Sequence, residues 1–236
     1  RAWRQLRLDA DGPRKFAELC VGLLEATSRV HAAGGVHRDG KPSNIAIDVT
    51  DEGYMQVTLL DFSSAWSAEA ERAGLYGSAG PTRDEETVEY MPPERLLDDS
   101  TKTPAPTQDA WAIGVVLLEV LLGTRQAFQV DPRTRAFVEK SLRGRSQWEI
   151  EKALLEAALA DLCVLPKDAT PCAPTDLLDE LQERDPLEVG FASYLGVDGA
   201  DFVSSLLARD PSERALPSQA LDHPFLRRAA EQLFEN

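Results

Sequence analysis

The sequence is poor in cysteine, and its few cysteines form no obvious pair. Its 236 residues contain only Cys20, Cys163 and Cys172, an odd number of widely spaced residues without a CxxC motif. This pattern predicts neither a disulfide framework nor a zinc site. It favours a reducing intracellular compartment, with the cytoplasm as the simplest choice.

Basic residues are also scarce. Lys and Arg number 25 against 40 Asp and Glu, so the formal net charge at pH 7 is −15. Such a surface would repel nucleic acid or an anionic membrane, and the sequence predicts neither as the main partner. A protein or peptide of basic character fits this charge better.

Long apolar runs are missing as well. The longest, WAIGVVLLEVLLG at 111–123, is too short to cross a bilayer and contains Glu119, so it predicts a buried core helix. The charged first 15 residues are not followed by an apolar segment, so no signal peptide is expected. The sequence does not begin with methionine, which indicates a fragment, an excised domain or a processed chain.

The pattern that is present is mostly helical. Apolar residues at helical spacing predict helices over 13–33, 108–122, 146–163 and 174–183. Two β-rich runs, at 44–48 and 54–62, flank a turn-forming Asp-Glu-Gly and predict a hairpin. Residues 63–93 show no periodicity, which predicts a long loop, and helical pieces follow from 201. The expected fold is therefore one mostly α domain of the α+β class with one small hairpin.

One polar stretch, VHRDGKPSN at 36–44, lies directly before that hairpin. Phosphoryl transfer from ATP requires a carboxylate to orient the attacking hydroxyl, a cation near the phosphate and oxygen ligands for magnesium. The side chains that this chemistry needs are present in Asp39, Lys41, Asn44 and Asp61. Taken alone, the stretch also fits a solvated polar turn.

Five motifs in order give this stretch its context. They are HRDGKPSN, LLDFSSAW, ETVEYMPPERL, DAWAIGVVLLEVLLG and LLARDPSERALPSQALDHPF. In this order they resemble the C-terminal lobe of a eukaryotic protein kinase of the serine/threonine type. The resemblance implies a helical lobe whose small hairpin carries the catalytic and metal-binding loops. It covers residues 1–236, with an activation segment at 61–94 and an inserted helical region at about 125–200, where the motif spacing exceeds the family norm.

The resemblance assigns a role to each of these residues. It implies that Asp39 is the catalytic base and that Lys41 contacts the phosphate. Asn44 and Asp61 are implied to be magnesium ligands, which makes ATP and Mg²⁺ the expected cofactors. Thr87 matches the family threonine that hydrogen-bonds toward Asp39 and Lys41 and shapes the peptide site. Thr87 and the KPSN sequence both favour serine/threonine specificity.

Structural contacts are implied in the same way. Arg38 would pair with a phosphorylated or acidic activation loop, and Asp84-Glu85-Glu86 offers it a permanent acidic partner. Further family positions are the ion pair of Glu94 with Arg214, the loop-capping Asp109, and the spine residues His37 and Phe62.

The sequence departs from the family at three places. No glycine-rich loop, strand lysine or helix glutamate precedes the catalytic loop, so the N-terminal lobe is expected to be missing. The one glycine series, GLYGSAG at 74–80, follows Asp61 and indicates flexibility rather than phosphate binding. Ser63 replaces the glycine of DFG and should restrict the movement of Phe62. Gly40 replaces a leucine, which removes an apolar anchor at a cost of about 1 kcal/mol.

These features predict an ATP-dependent serine/threonine protein kinase that acts on a protein substrate, with this chain as its catalytic lobe. The alternative is a pseudokinase or scaffold lobe that binds a partner through its acidic surface and the 125–200 region without catalysis. A small-molecule phosphotransferase of kinase-like fold is disfavoured, because such relatives lack the T-x-E-Y and D-x-W signatures seen here.

Overall fold

The computed structural model of the chain describes residues 11–51, 53–77, 82, 85–96, 103–125, 127–165, 172–185, 188 and 190–228. Its helices are α1 (Gly12–Ala32), α2 (Ala68–Arg72), α3 (Pro93–Leu96), α4 (Pro106–Leu122), α5 (Pro132–Ser141), α6 (Gln147–Asp161), α7 (Pro174–Arg184), α8 (Ala192–Leu206) and α9 (Pro217–Ala220). Its strands are β1 (Gly35–Val36), β2 (Ile45–Val49), β3 (Met55–Leu59) and β4 (Trp66–Ser67). Single 3₁₀ turns cover Pro42–Asn44 and Val88–Tyr90. The expected mostly helical architecture is confirmed.

Proline and glycine mark the ends of the two helices that carry the core. Both α1 and α4 have a proline in their first turn, where its missing N–H leaves no hydrogen bond unmade. Gly34 follows α1 with φ of 79°, and Gly123 ends α4 with φ of 64°. Glycine adopts this left-handed conformation without a Cβ clash, so the helices stop where the sequence predicts.

Helix α4 is the centre of the hydrophobic core. Every residue from Gln108 to Leu122 is buried, Glu119 included. The helix packs against α1, α7 and α8. The prediction of a buried core helix is confirmed. Within the described ranges, no helix is both long and apolar enough to cross a membrane.

The predicted hairpin is present as β2 and β3. The two strands pair antiparallel, from Ile45 opposite Leu59 to Val49 opposite Met55. The hairpin packs on α1 through β3, with Val57 buried in the core. It therefore fixes the C-terminal end of the polar stretch 36–44.

The region 63–93 has more structure than its sequence predicts. Strand β4 pairs antiparallel with β1, which places Val36 opposite Trp66. Helix α2 follows at once, and the Ser67 side chain caps it by accepting a hydrogen bond from the Ala70 N–H. Elements this short show no usable periodicity. The β1–β4 pair fixes the N-terminal end of the polar stretch.

The cysteine prediction was wrong. Cys163 and Cys172 form a disulfide, with their Cα atoms 5.6 Å apart, while Cys20 is a free, buried thiol whose pKa is raised by that burial. The pairing depends on the chain returning toward the end of α6, which the count and spacing of cysteines do not reveal. The cysteines of this chain therefore do not support a reducing compartment.

The region proposed as an insertion is helical. The segments predicted at 146–163 and 174–183 are α6 and α7, and α5 precedes them. Helix α6 starts with a capping box, in which Ser146 and Glu149 each accept a hydrogen bond from the other's backbone N–H. Helices α5 and α6 line one side of a groove on the surface of the protein.

Candidate active site

One buried carboxylate anchors the polar stretch 36–44. Asp109, near the start of α4, accepts hydrogen bonds from the backbone N–H groups of His37 and Arg38, both at 2.8 Å. His31 Nε2 lies 2.8 Å from the same carboxylate. The expected cap by Asp109 is confirmed. His31 was missed, because nothing in its helical surroundings signals a contact with a residue 78 positions away.

Four of the five proposed site residues lie together around Asp39. Thr87 Oγ1 donates to Asp39 Oδ1 at 2.6 Å. Lys41 Nζ lies 2.7 Å from Asp39 Oδ2 and donates to Thr87 Oγ1 at 2.8 Å. Asn44 Nδ2 donates to the same Oδ2 at 2.8 Å and to the backbone oxygen of Asp39 at 3.0 Å. The expected contacts of Thr87 with Asp39 and Lys41 are present.

This cluster is rigid at one end and open at the other. Hydrogen bonds to a carboxylate are short and directional, so three donors fix the orientation of the Asp39 side chain. The Asp39 side chain is 7% exposed, whereas that of Lys41 is 28% exposed. The cluster is therefore open to solvent on the side of Lys41.

Asp61 lies in an exposed turn after β3, outside the hydrogen bonds that join the Asp39 cluster. Its backbone has φ of 57°, a conformation that non-glycine residues adopt rarely and often at functional sites. Ser63 donates to Asp61 Oδ1 from its hydroxyl at 2.6 Å and from its N–H at 3.2 Å. These two bonds hold the pKa of Asp61 below its ordinary value, with smaller contributions from the charges of Lys41 and His37. Sequence reasoning missed this role of Ser63.

Asn44 and Asp61 have side-chain oxygen atoms of the kind that a hard divalent cation prefers. Asn44 uses its amide nitrogen toward Asp39, and Ser63 engages Oδ1 of Asp61, so one oxygen of each residue lies outside these bonds. Magnesium prefers oxygen ligands and usually keeps several waters. The described ranges contain no group of three or more His, Cys, Asp or Glu that could hold a metal ion. A magnesium ion here would therefore depend on water and substrate oxygens for its remaining ligands.

Gly40 lies against helix α4, and Phe62 lies against His37. A Cβ at Gly40 would lie 3.3 Å from the Ala112 Cβ, and a cavity of about 10 Å³ lies beside it. Phe62 contacts the His37 ring, with centroids 4.8 Å apart, but it is 49% exposed. The expected contact between the two rings is therefore present, with His37 buried and Phe62 half exposed.

Two glutamates tie the activation segment to Arg38. The Arg38 side chain is fully buried; it donates to Glu86 Oε1 at 2.6 Å and to Glu85 Oε2 at 2.9 Å. It also donates to two backbone oxygens of the segment. The expected acidic partner is confirmed for Glu85 and Glu86, while Asp84 lies outside the described residues.

Glu86 has a second cationic partner. Arg95 Nη2, on α3, donates to the same Oε1 at 2.6 Å. Glu86 therefore bridges two guanidinium groups and joins the catalytic loop to α3. The sequence analysis did not predict the contact of Arg95 with Glu86, although Arg95 lies in the PPERL motif only nine residues after Glu86.

The predicted ion pair of Glu94 with Arg214 is confirmed. The two side chains form a bidentate pair, with Nη1–Oε1 at 2.8 Å and Nη2–Oε2 at 2.9 Å. The Arg214 guanidinium also lies over the Trp111 ring, 5.1 Å from its centroid. This pair joins α3 to the start of α4, because Arg214 also donates to the backbone oxygen of Thr107.

The chain is similar to known proteins in sequence and in fold. The protein kinase domain model matches residues 10–226. A probable inactive protein kinase of Arabidopsis thaliana is 28% identical over 94% of this chain and 68% of its own length. Mitogen-activated protein kinase 15 of Rattus norvegicus is 30% identical over 87% of this chain and 34% of its own length. A structure of the CAK complex from Chaetomium thermophilum bound to ATP-gamma-S matches 95% of this chain and 63% of that chain, with a TM-score of 0.56 and 20% identity.

The family match and the matched structure show that the fold is protein kinase-like. The chain belongs to the protein kinase family. It spans about a third of the length of the mitogen-activated protein kinase 15 relative and 63% of the matched structure's chain.

Proposed function

We propose that this chain is the C-terminal, catalytic lobe of a serine/threonine protein kinase, which transfers the γ-phosphate of ATP to a hydroxyl group of a protein. The observation that carries the proposal is the convergence of Thr87, Lys41 and Asn44 on the Asp39 carboxylate. The residues proposed here form only the part of the nucleotide site that this lobe supplies.

Asp39 and Lys41 would act on the two reacting groups. An acceptor hydroxyl beside Asp39 would donate to its carboxylate, which orients the hydroxyl and takes its proton. Lys41 lies next to this carboxylate and is partly exposed, so its ammonium group can face the transferred phosphate. The bond between Lys41 and Thr87 would hold that ammonium in place.

Asn44 and Asp61 would hold Mg²⁺ through their side-chain oxygens. The cation would neutralise negative charge on the phosphates of the nucleotide. The matched CAK complex is bound to ATP-gamma-S, which supports ATP as the nucleotide for this fold. The lowered pKa of Asp61 favours its ionised form, which a metal ligand requires.

The proposed substrate class rests on the contacts of Thr87 and on the net charge of the chain. Thr87 contacts both Asp39 and Lys41, the contact that the resemblance associates with serine/threonine specificity. The net charge of −15 favours protein substrates of basic character.

Transfer from radiolabelled ATP to a basic, serine-containing peptide tests the proposal on the full-length protein. Asp39→Asn and Asp61→Asn should each lower the rate by roughly 10²–10⁴-fold, because each removes a charge that the reaction uses. Glu25→Gln, a neutralised exposed carboxylate on α1, is the matched control and should keep the rate. Wild-type rates in both aspartate variants would refute the proposal.

A pseudokinase lobe is the second candidate, and two observations favour it. The Arabidopsis thaliana relative that matches 94% of the chain is a probable inactive kinase. Ser63 also occupies an oxygen of Asp61 that a metal could use. On this alternative, wild type and Asp61→Asn would both lack transfer while partner binding persists.

A further inference from the structure

A local excess of positive charge lies on α5 and the turn that follows it. Residues 132–146 contain five basic residues and one acidic residue, although the whole chain has a formal net charge of −15. None of the residues Pro132–Ser141, all of which the structure describes, is buried. The hydrophobic core therefore does not dictate the sequence of this helix, and its charge pattern needs a reason outside the fold.

Two sides of α5 have different surroundings. Arg135 and Glu139 line the groove that α5 shares with α6, with Nη1 and Oε1 3.7 Å apart. Arg133, Phe137 and Lys140 lie outside that lining and follow one another at spacings of four and three residues. Such spacings place side chains next to one another along one side of a helix. All three residues are exposed, Phe137 to 71%, and we call them the outer face of α5.

The cations of the outer face have no ion-pair partner among the residues that the structure describes. Neither Arg133 nor Lys140 forms an ion pair or a side-chain hydrogen bond there, and the same holds for Arg143 in the following turn. Asp131 is close to Arg133 in sequence, but its carboxylate accepts hydrogen bonds from the first N–H groups of the helix. Two cations are therefore available on either side of the exposed ring of Phe137.

The chemistry of the outer face fits a short acidic segment of a protein. Carboxylates form charge-assisted hydrogen bonds with guanidinium and ammonium groups. An exposed aromatic ring between such groups can be covered by an aliphatic side chain of the same segment. Arginine and phenylalanine are also both enriched where proteins contact each other.

The charge of the remaining chain disfavours larger anionic partners. A bilayer or a second copy would bring an extended negative surface against a chain with a net charge of −15. A nucleic-acid backbone would carry a row of phosphates past the exposed carboxylates of Asp131 and Glu139. A short segment needs to contact only α5, whose 10 residues span about 15 Å. Exposed charges more than roughly 8 Å away are largely screened at physiological salt.

We propose that the outer face of α5 binds an acidic segment of a partner protein, in which carboxylates pair with Arg133 and Lys140 and an aliphatic side chain covers Phe137. This partner is opposite in charge to the basic substrate proposed above. The outer face contains none of the residues around Asp39. The inference therefore goes beyond phosphoryl transfer and applies equally to an active kinase and to a pseudokinase lobe.

Fluorescence anisotropy with two labelled peptides tests this inference without ATP. One peptide has a central leucine flanked by glutamates, and the other has glutamine in place of each glutamate. The full-length protein should bind the acidic peptide at least about tenfold more tightly, because only that peptide supplies charged partners for the two cations. Raising the salt concentration should reduce this preference, since it screens exposed charges.

Reversal of charge on the outer face is the decisive variant. Arg133→Glu combined with Lys140→Glu should abolish the preference for the acidic peptide. The matched control combines Arg29→Glu with Arg209→Glu, which reverses two exposed arginines outside α5 and changes the net charge by the same amount. This control should keep most of the preference, because its substitutions lie away from the proposed contact.

A second pair of variants tests the aromatic ring. Phe137→Ala should weaken binding of the acidic peptide several-fold, because it removes the apolar contact and leaves both cations in place. Tyr54→Ala is the matched control, since Tyr54 is an aromatic residue that is 58% exposed beside β3, and it should leave the affinity unchanged. Equal affinities of these two variants would show that the ring takes no part and would overturn its place in the proposal.

Equal affinity of the wild-type protein for the two peptides overturns the inference. A loss of preference in the Arg133→Glu and Lys140→Glu variant that is no larger than in its matched control does so as well. Thermal unfolding establishes that each variant is folded. If the double reversal does not fold, Arg133→Gln with Lys140→Gln takes its place, and an unchanged preference then overturns the inference.

Other occupants of the outer face give other results. Flotation with phosphatidylserine vesicles, anisotropy with a single-stranded oligonucleotide and sedimentation velocity test a membrane, a nucleic acid and a second copy. If the double reversal abolishes one of these interactions while the wild-type protein does not prefer the acidic peptide, the acidic segment is the wrong occupant. A protein that transfers no phosphate but prefers the acidic peptide supports this inference and counts only against the kinase proposal.

Discussion

Replacing Glu86 by alanine should destabilise the protein far more than its place in a loop suggests. The Glu86 side chain is 3% exposed, and its Oε1 accepts hydrogen bonds from Arg38 and Arg95, both at 2.6 Å. Those two side chains are 0% and 5% exposed, so the variant leaves two cations buried without this carboxylate. Breaking a buried ion pair by removing one partner costs roughly 3–5 kcal/mol. Because Arg38 keeps its contact with Glu85, we expect the effect of one pair rather than two.

Thermal unfolding followed by circular dichroism measures this effect. The midpoint should fall by about 6–20 °C, since 1 kcal/mol corresponds to roughly 2–4 °C in a chain of this size. Glu85→Ala is the matched control: its carboxylate is 41% exposed and, among the residues that the structure describes, pairs with Arg38, so its loss should cost about 0–1 kcal/mol. Equal shifts in the two variants, or a loss below about 1 kcal/mol in Glu86→Ala, would refute the reasoning.

Three further predictions concern other contacts. Ser63→Ala removes the hydroxyl bond to Asp61 and should raise the pKa of that carboxylate, which an NMR titration would detect. Because the pKa of Asp61 is lowered in the folded protein, this bond stabilises the fold at pH values above the ordinary pKa, and the stabilisation is lost as the pH falls through the lowered pKa. The free energies of unfolding of wild type and Ser63→Ala should therefore converge at acid pH, and a difference that persists there would contradict the account. Glu94→Ala leaves a buried guanidinium without its carboxylate and should lower stability by roughly 3–5 kcal/mol in denaturant unfolding, so an unchanged midpoint would argue against the pair. Reducing Cys163–Cys172 should cost about 2–3 kcal/mol from the entropy of a short loop, and identical unfolding with and without reductant would exclude the bond.

The bridge at Glu86 also bears on regulation. Arg38 has two glutamates as partners, so the segment does not need an added phosphate to neutralise this buried cation. Phosphorylation orders a loop by supplying such a charge, and here the sequence supplies it permanently. Glu85 and Glu86 therefore pair with Arg38 without any modification of the chain.

Sequence reasoning succeeded where the information is local. Residues Asp39, Lys41 and Asn44 lie within six positions of one another, so their spacing alone brings them together on one loop. Helices α1 and α4 have strong apolar patterns with proline and glycine at their ends, which predicts both type and extent. Thr87 was placed from a motif, and its contact with Asp39 is confirmed.

Sequence reasoning failed where the contact depends on how elements pack. The bonds from His31 to Asp109 and from Tyr90 to Glu119 join residues 78 and 29 positions apart. Each links a helix or turn to α4, and no periodicity records which face of α4 meets which neighbour. The disulfide was missed for the same reason, because it depends on how the fold brings Cys172 back to Cys163 and not on a sequence pattern.

The proposed base, Asp39, and the proposed metal ligand, Asp61, are held in place by very different contacts. Asp39 is buried and has three donors from the loop and the activation segment, which is in turn fixed through Glu86. Asp61 is exposed, has an unusual backbone conformation and receives its hydrogen bonds from Ser63. The Asp39 cluster, which would receive the acceptor hydroxyl, is therefore preorganised. The orientation of Asp61, the proposed metal ligand, depends on its neighbour Ser63. If this chain has lost catalysis, the loss should lie at Asp61 and Ser63, and Ser63→Gly, which restores the family glycine and frees Oδ1 of the hydroxyl, is the substitution expected to raise metal binding.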